Sequence, residues 1–305
     1  MLNRITFLVM IATGILASCG TQKRLQQSVQ KSQIVKKAIQ NGGQKLDSLQ
    51  KLVSEQDQQS VIDSVLTGAF HQTIQKLQQN LDRIGETVTA VELLAKKKSN
   101  FRERKFYHST VYLVNRLDSF QLAEHGRERV FELLSKAVNS YAFHRFDMGT
   151  FFEPGAYKIP LSAVDKIYQP FRPAVDSMVR FSNNYSDVKH KVYMVFVGYA
   201  DATPIVKSSI LYQELKRYIP GQQEPSRESF NLTLSQLRAN ELERNMKLIL
   251  SKKVLEFNNY QLLNIGYFSY GRGEAFPFKN ITDYRVQDER RRVVVFYWSV
   301  LPVVD

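Results

Sequence analysis

At 305 residues the chain has room for a sizeable folded core and a second region beside it. Hydrophobic residues make up 43% and charged residues 23%, and only one apolar stretch, at the N-terminus, approaches membrane length, which excludes a polytopic membrane protein. A net charge of +13 favours an anionic partner such as nucleic acid, phospholipid or an acidic polymer, while a single cysteine excludes an intrachain disulfide and a Cys-rich zinc site.

The first element in chain order is an address. Residues 1–18 carry one charge, Arg4, ahead of the apolar run Ile5, Phe7, Leu8, Val9, Met10, Ile11 and Ala12, the layout of a secretory signal and too short to span as a mature helix. The run ends in Leu16-Ala17-Ser18-Cys19-Gly20, which resembles a bacterial lipoprotein lipobox. The resemblance implies that Cys19 is acylated and becomes the mature N-terminus. Each buried CH₂ of an acyl chain contributes about 0.8 kcal/mol, so two or more chains hold a protein stably on a membrane. Gly20 after the cysteine resembles the outer-membrane sorting pattern, which gives a lipid-anchored protein of the outer membrane, facing the periplasm. Outside the cytoplasm the polyanions to expect are cell-wall polymer and anionic lipid, not nucleic acid.

Residues 19–60 are rich in Gln and Lys and hold few large apolar groups, so they read as a tether, partly disordered in a monomer, with Gly42-Gly43 as its clearest break. Residues 21–141 contain no proline and read as mainly α-helical, with 61–141 as a helical spacer or coiled coil. Phe70, Ile74, Leu77, Leu81, Ile84, Val88, Val91 and Ala95 alternate steps of four and three, the 3.5-residue period of a coiled-coil seam. That seam fits a homo-oligomer as well as an amphipathic helix packed in a small bundle, with segments 101–121 and 127–141 supplying the opposing face. Lys96-Lys97-Lys98 suits a solvated helix C-terminus.

From residue 142 strands and helices alternate, with Pro and Gly turns between them. The pattern predicts a short strand at 142–151, a helix at 161–181, a strand at 191–198, a helical stretch at 208–218, a helix from 231 to about 256, and strands at 263–271 and 291–301. The runs 192–197 and 293–298 are apolar on both alternating faces, so each belongs inside a sheet with largely covered faces. The fold class is α+β, with helices on one side of a small sheet.

In this half Phe146-Asp147, Gly198-Tyr199-Ala200-Asp201, the run Asn231 to Ala239 (NLTLSQLRA), Gly271-Arg272-Gly273-Glu274 with Pro277, and Arg291-Arg292-Val293 follow one another. This order resembles the OmpA-like peptidoglycan-binding domain over roughly residues 142–302, within a domain bounded at 142–305. The resemblance implies an OmpA-like α/β sandwich that holds the peptide stem of peptidoglycan non-covalently and catalyses nothing. It implies that Asp201 faces the ammonium, and Arg238 the carboxylate, of a diamino-acid side chain, with Asn231, Asp147 and Arg291 as supporting residues. An acceptor-only carboxylate and a fork of N–H donors are what a zwitterion requires. Each residue also has a plain reading: Asp201 as a turn residue, Asn231 as a helix N-cap, Arg238 as a surface group on an amphipathic helix.

Two departures from the pattern stand out. Tyr199-Ala200 replaces the His-Thr usual before the aspartate, and an insertion occupies about 202–230 where a short connection is usual. Such an insertion caps the site, redirects it, or docks another protein. No HExxH, GxSxG or P-loop occurs, so neither enzyme chemistry nor a metal or other cofactor is expected. The function expected is an outer-membrane lipoprotein that links membrane to cell wall. The alternative is a scaffold or stator subunit of a larger envelope machine, assembled through the helical half with envelope-complex proteins.

Overall fold

The computed structural model describes residues 2–59, 62–139, 152, 155–160, 164–253, 264–278 and 281–304. The strand expected at 142–151, and Asp147 with it, lie outside the described residues. The chain is α+β and divides into two compact units. The first comprises Met1–Lys51, Gln72–Glu132 and Val304–Asp305, the second Leu52–His71 and Leu133–Val303. Among the described residues no helix is long and apolar enough to cross a membrane.

The first unit is built from helices α1 (Leu2–Gln58), α2 (Ser64–Ala95), α3 (Glu103–Ser109), α4 (Val111–Leu122) and α5 (Glu124–Asn139), of which α1, α2 and α5 also contribute residues to the second unit. The tract expected to be a partly disordered tether is helical, and Gly42-Gly43 does not break it. The reason is a second seam. Ser28, Ser32, Val35, Gly42, Leu46 and Leu49 are buried and Ile39 is partly buried, at steps of four and three along α1. Gly42 lies where α1 and α2 approach closely: a Cβ there would sit 3.0 Å from a Leu81 methyl and 3.5 Å from the Phe131 ring. Seven residues earlier on α1, Val35 shares a cluster with Val88, seven residues later on α2, so the two helices run antiparallel. The Phe70–Ala95 stripe is thus covered within the chain. Val114 and Leu117 of α4 join Val35, Val88 and Val91, with Ile84 packed against them. Basic side chains of α1 pair across to α4, α2 and α5 through Lys31–Asp118 at 2.6 Å, Lys36–Glu92 at 3.2 Å and Lys45–Glu128 at 2.6 Å. Being largely solvated, these pairs set register more than stability. Lys96, Lys97 and Lys98 follow the end of α2 and are exposed.

The second unit carries a three-stranded sheet with helices α6 (Val164–Asn184), α7 (Ile210–Lys216) and α8 (Arg227–Lys253). Strands β1 (His190–Gly198), β2 (Ile265–Gly271) and β3 (Val294–Pro302) lie in the order β2-β1-β3, β2 parallel and β3 antiparallel to the central β1. A central strand is covered by neighbours on both edges and packed on both faces, which is why 192–197 is apolar throughout. On one face Phe196 stacks on its register partner Phe296 at 4.9 Å, and Phe171 of α6 meets Phe296 edge-on at 5.3 Å. Gly198, on the same face as Phe196, lies under α8. Helices α6 and α8 therefore share one side, as the sequence predicts. The opposite face carries Tyr193 stacked on Phe268 at 5.7 Å and, further along β2, Tyr270. There the buried Asp63, between α1 and α2, accepts the Tyr270 hydroxyl through Oδ2 and caps α2 by accepting Val65 N through Oδ1 at 2.8 Å.

Candidate ligand pocket

The site lies at the C-terminal end of β1. Beyond Gly198 the chain continues extended between two flanking segments, with Tyr199 N donating to Val293 O at 2.8 Å, Ala200 N to Gly273 O at 2.8 Å and Ala202 N to Val286 O at 3.0 Å. This fixes Asp201, buried, just past the strand end. An open sheet leaves its ligand crevice at such strand ends, where neighbouring connections diverge.

Helix α8 supplies the facing wall, and its motif residues have individual tasks. The helix starts at Arg227, capped by Ser226 Oγ accepting Ser229 N at 3.2 Å, so Asn231 lies a full turn inside and is not the N-cap. Its amide donates to Glu274 Oε1 at 2.8 Å and to Thr203 O at 3.4 Å, tying α8 to both loops at the pocket rim. Glu274 also takes Arg227 Nε at 2.8 Å and Nη2 at 3.0 Å. Ser235 Oγ accepts Gly273 N at 2.9 Å, and Gln236 Oε1 accepts Gly271 N at 2.9 Å while its amide donates to Ser269 O at 3.1 Å. The helix presses so closely that a Cβ on Gly198 would sit 2.0 Å from Ser235 O and one on Gly271 2.5 Å from Gln236 N. Gly271 and Gly273 (φ 53°) thus serve helix packing and a left-handed turn, a task unrelated to nucleotide phosphates.

Arg238 follows Ser235 on the same face of α8 and is 1% exposed. Its Nε donates to Ala156 O at 3.0 Å, and its guanidinium lies 5.6 Å from the Phe152 ring centroid. Among the described residues its Nη2 has no hydrogen-bond partner although it is buried. Burial lowers its pKa to about 10, with the Asp201 charge opposing the shift and the Arg292 charge adding to it.

Asp201 is engaged by a residue that the sequence reading did not select. Arg292 donates to Asp201 Oδ2 from Nε at 3.0 Å and Nη2 at 2.9 Å, and the Thr203 hydroxyl reaches the same oxygen at 2.6 Å. Arg291 turns the other way. Its Nη1 donates to Val286 O at 3.1 Å and Nη2 to Glu274 O, its guanidinium lies 4.8 Å from the Phe276 ring centroid, and it does not line the pocket. The 3-10 turn Glu289–Arg291, capped by Asp288, decides which arginine points where.

Asp201, Asn231, Arg238 and Arg292 share one pocket of about 370 Å³. Its other wall is the insertion: Thr203, Pro204, Ile205, Val206, Ser209 and Leu211, facing Leu234. The insertion has a small core of its own, in which Tyr212 and Leu215 of α7 pack with Tyr157, Phe230 and Leu234. Tyr157 donates to Glu214 Oε2 at 2.8 Å, and burial first, then that carboxylate, raises its pKa to about 12. Cys19 falls within the range of α1, and its thiol lies outside the described side chains. Among the described residues no group of three or more His, Cys, Asp or Glu side chains is arranged to hold a metal ion.

Comparison with known proteins finds no matching family model, no matching curated protein and no matching solved structure.

Proposed function

We propose that the chain is an outer-membrane lipoprotein, anchored through an acylated Cys19, whose second unit holds the peptide stem of peptidoglycan non-covalently and so links membrane to wall. The order of the GYAD, NLTLSQLRA, GRGE and RRV segments supports the peptidoglycan part, through its resemblance to OmpA-like domains. One observation carries it: a buried guanidinium, Arg238, lines the pocket with an Nη2 that has no hydrogen-bond partner among the described residues. Burying a cation without full pairing is costly, and a ligand carboxylate would supply the missing acceptor in a charge-assisted bond. No step of bond making or breaking is involved.

Co-sedimentation of the full chain with isolated peptidoglycan tests this. Arg238→Ala should weaken pelleting about tenfold or more, because a hydrogen bond to a charged group is worth more than the 1.4 kcal/mol of one decade. The effect should persist at high salt, whereas attraction of a chain that carries +12 without residues 1–18 to an anionic polymer fades as salt screens it. Equal pelleting of wild type and Arg238→Ala at both salts would reject the reading. The exposed Val206, Ile210 and Tyr218 of the insertion would then favour the scaffold alternative, with that surface docking a protein.

A further inference from the structure

Residues 96–105 join α2 to α3 and hold six basic side chains, Lys96, Lys97, Lys98, Arg102, Arg104 and Lys105, all exposed, against a single acidic one, Glu103. The connection is a built turn. Phe101 is fully buried, Asn100 N donates to Lys97 O at 2.9 Å and the Asn100 amide to Leu94 O at 3.0 Å, so the backbone is pinned and the charges are left on its outer side. Unlike Lys31, Lys36 and Lys45 of α1, none of the six is in an ion pair among the described residues.

The place of this turn decides what its charge meets. Because α1 and α2 run antiparallel, the end of α2 lies beside the part of α1 that follows Cys19: Arg24 Nη1 donates to Phe101 O at 3.4 Å, and the Arg24 guanidinium lies 5.8 Å from the Phe106 ring centroid. Arg24 follows Cys19 by five residues, about 7.5 Å along a helix at 1.5 Å per residue, which is within the screening length of about 8 Å at physiological ionic strength. Lys23 is exposed beside it, and no carboxylate occurs between Cys19 and Asp47. The other end of this unit, residues 44–51, 72–82 and 124–132, balances five basic side chains with five acidic ones. The basic end is thus the end that an acyl anchor would hold against a bilayer. Tyr107, 60% exposed and two residues beyond Lys105, adds an amphipathic ring of the kind that settles at headgroup level.

We propose that this turn is a second membrane contact, in which the six basic side chains lie on the anionic headgroups of the same bilayer that holds the acyl chains of Cys19. This rests on the reading that Cys19 is acylated. An acyl anchor alone leaves the helical unit free to swivel about one point, and an electrostatic contact beside it fixes the direction in which α1 leaves the membrane. An anionic wall polymer offers the same sign of charge; the position of the turn beside the acylation site favours lipid.

The test is flotation of the proposed mature chain, left unacylated by Cys19→Ser, with vesicles of phosphatidylcholine alone and of an equal mixture with phosphatidylglycerol. The chain should float with the mixed vesicles at low salt at least about tenfold better than with neutral ones, and should release them at about 1 M salt, because each Lys or Arg near an anionic surface strengthens binding by about fivefold until salt screens it. Lys96→Gln, Lys97→Gln and Lys98→Gln together should weaken binding to mixed vesicles about tenfold or more. Lys207→Gln, Lys216→Gln and Arg217→Gln together remove the same charge from exposed side chains of the other unit and should leave that binding unchanged. Equal binding to neutral and mixed vesicles, no binding to either, or an equal loss from both triple variants would each overturn the proposal, and the first two outcomes depend on no further variant folding. Loss of peptidoglycan pelleting by the Lys96, Lys97 and Lys98 variant with vesicle binding intact would overturn it in favour of the wall polymer. Membrane fractionation separates this failure from that of the anchor. If a high-salt wash releases Cys19→Ser from cell membranes, the acyl reading stands whatever the vesicles show; if Cys19→Ser is retained, the anchor falls and the proposal with it.

Discussion

Two adjacent glycines in the middle of α1 have opposite surroundings. A Cβ on Gly43 would meet nothing within 4 Å, whereas one on Gly42 would press on Leu81 at 3.0 Å. Alanine favours a helix interior over glycine by about 0.8–1.0 kcal/mol, so Gly43→Ala should stabilise the chain by close to that amount. Gly42→Ala has the same propensity gain but must displace a buried leucine, and should gain less or destabilise. Urea unfolding followed by helical circular dichroism checks the pair, and equal stabilisation by both would mean that α1 and α2 are not held at the described approach. The same residues explain what the sequence hid. Ser28, Ser32 and Gly42 occupy seam positions on α1, so its 3.5-residue period is invisible to a search for large apolar side chains, and a glycine pair chosen for closeness reads as a break. Asp201 and Arg238 were legible because each sits in a local motif, and the structure brings both to one pocket. Arg292 was not: in the run Arg290-Arg291-Arg292 only the geometry of the preceding 3-10 turn decides which guanidinium faces Asp201.

At the scale of elements, that turn is a short device with a large consequence. Asp288 accepts Arg290 N at 3.0 Å, and Arg290 donates to its carboxylate from Nε at 2.9 Å and Nη2 at 2.6 Å. These bonds, the Arg290 side chain first, hold the Asp288 pKa well below the usual carboxylate range. A carboxylate whose folded pKa is depressed adds stability that is fully present above its unfolded value of 3.8 and is lost as the pH falls through the folded value. Asp288→Asn should therefore be less stable than wild type at neutral pH, with the difference shrinking only below about pH 4. Thermal melts of both proteins between pH 2 and 7 read this directly; a difference that stays constant across that range would show that the ion pair does not hold the turn. Strands β1 and β3 and helix α8 were legible from residue pattern, since β1 and β3 are continuous apolar runs and α8 follows the polar stretch 220–226. The strand order β2-β1-β3 was not, because pairing partners are chosen by the crossover through α8 and by its close seat over Gly198 and Gly271.

At the scale of the whole molecule, the α+β class was visible in the shift from proline-free helical sequence to alternating strands and helices. The interleaving of the two units was not, because Leu52–His71 belongs by sequence to the helical half and by packing to the sheet-bearing unit. A tether has to hold at both ends at once, so the central claim joins Cys19 to Arg238. The direct measurement places the proposed mature chain, acylated at Cys19, in lipid vesicles and sediments them with isolated peptidoglycan at about 1 M salt, where the screening length is about 3 Å and the +12 charge that remains without residues 1–18 counts for little at a distance. The account predicts that wild type carries vesicles into the pellet. Cys19→Ser should pellet alone and leave the vesicles in solution, and Arg238→Ala should stay with the vesicles and leave the wall bare. Vesicles pelleting equally well with Arg238→Ala, or with Cys19→Ser, would contradict it.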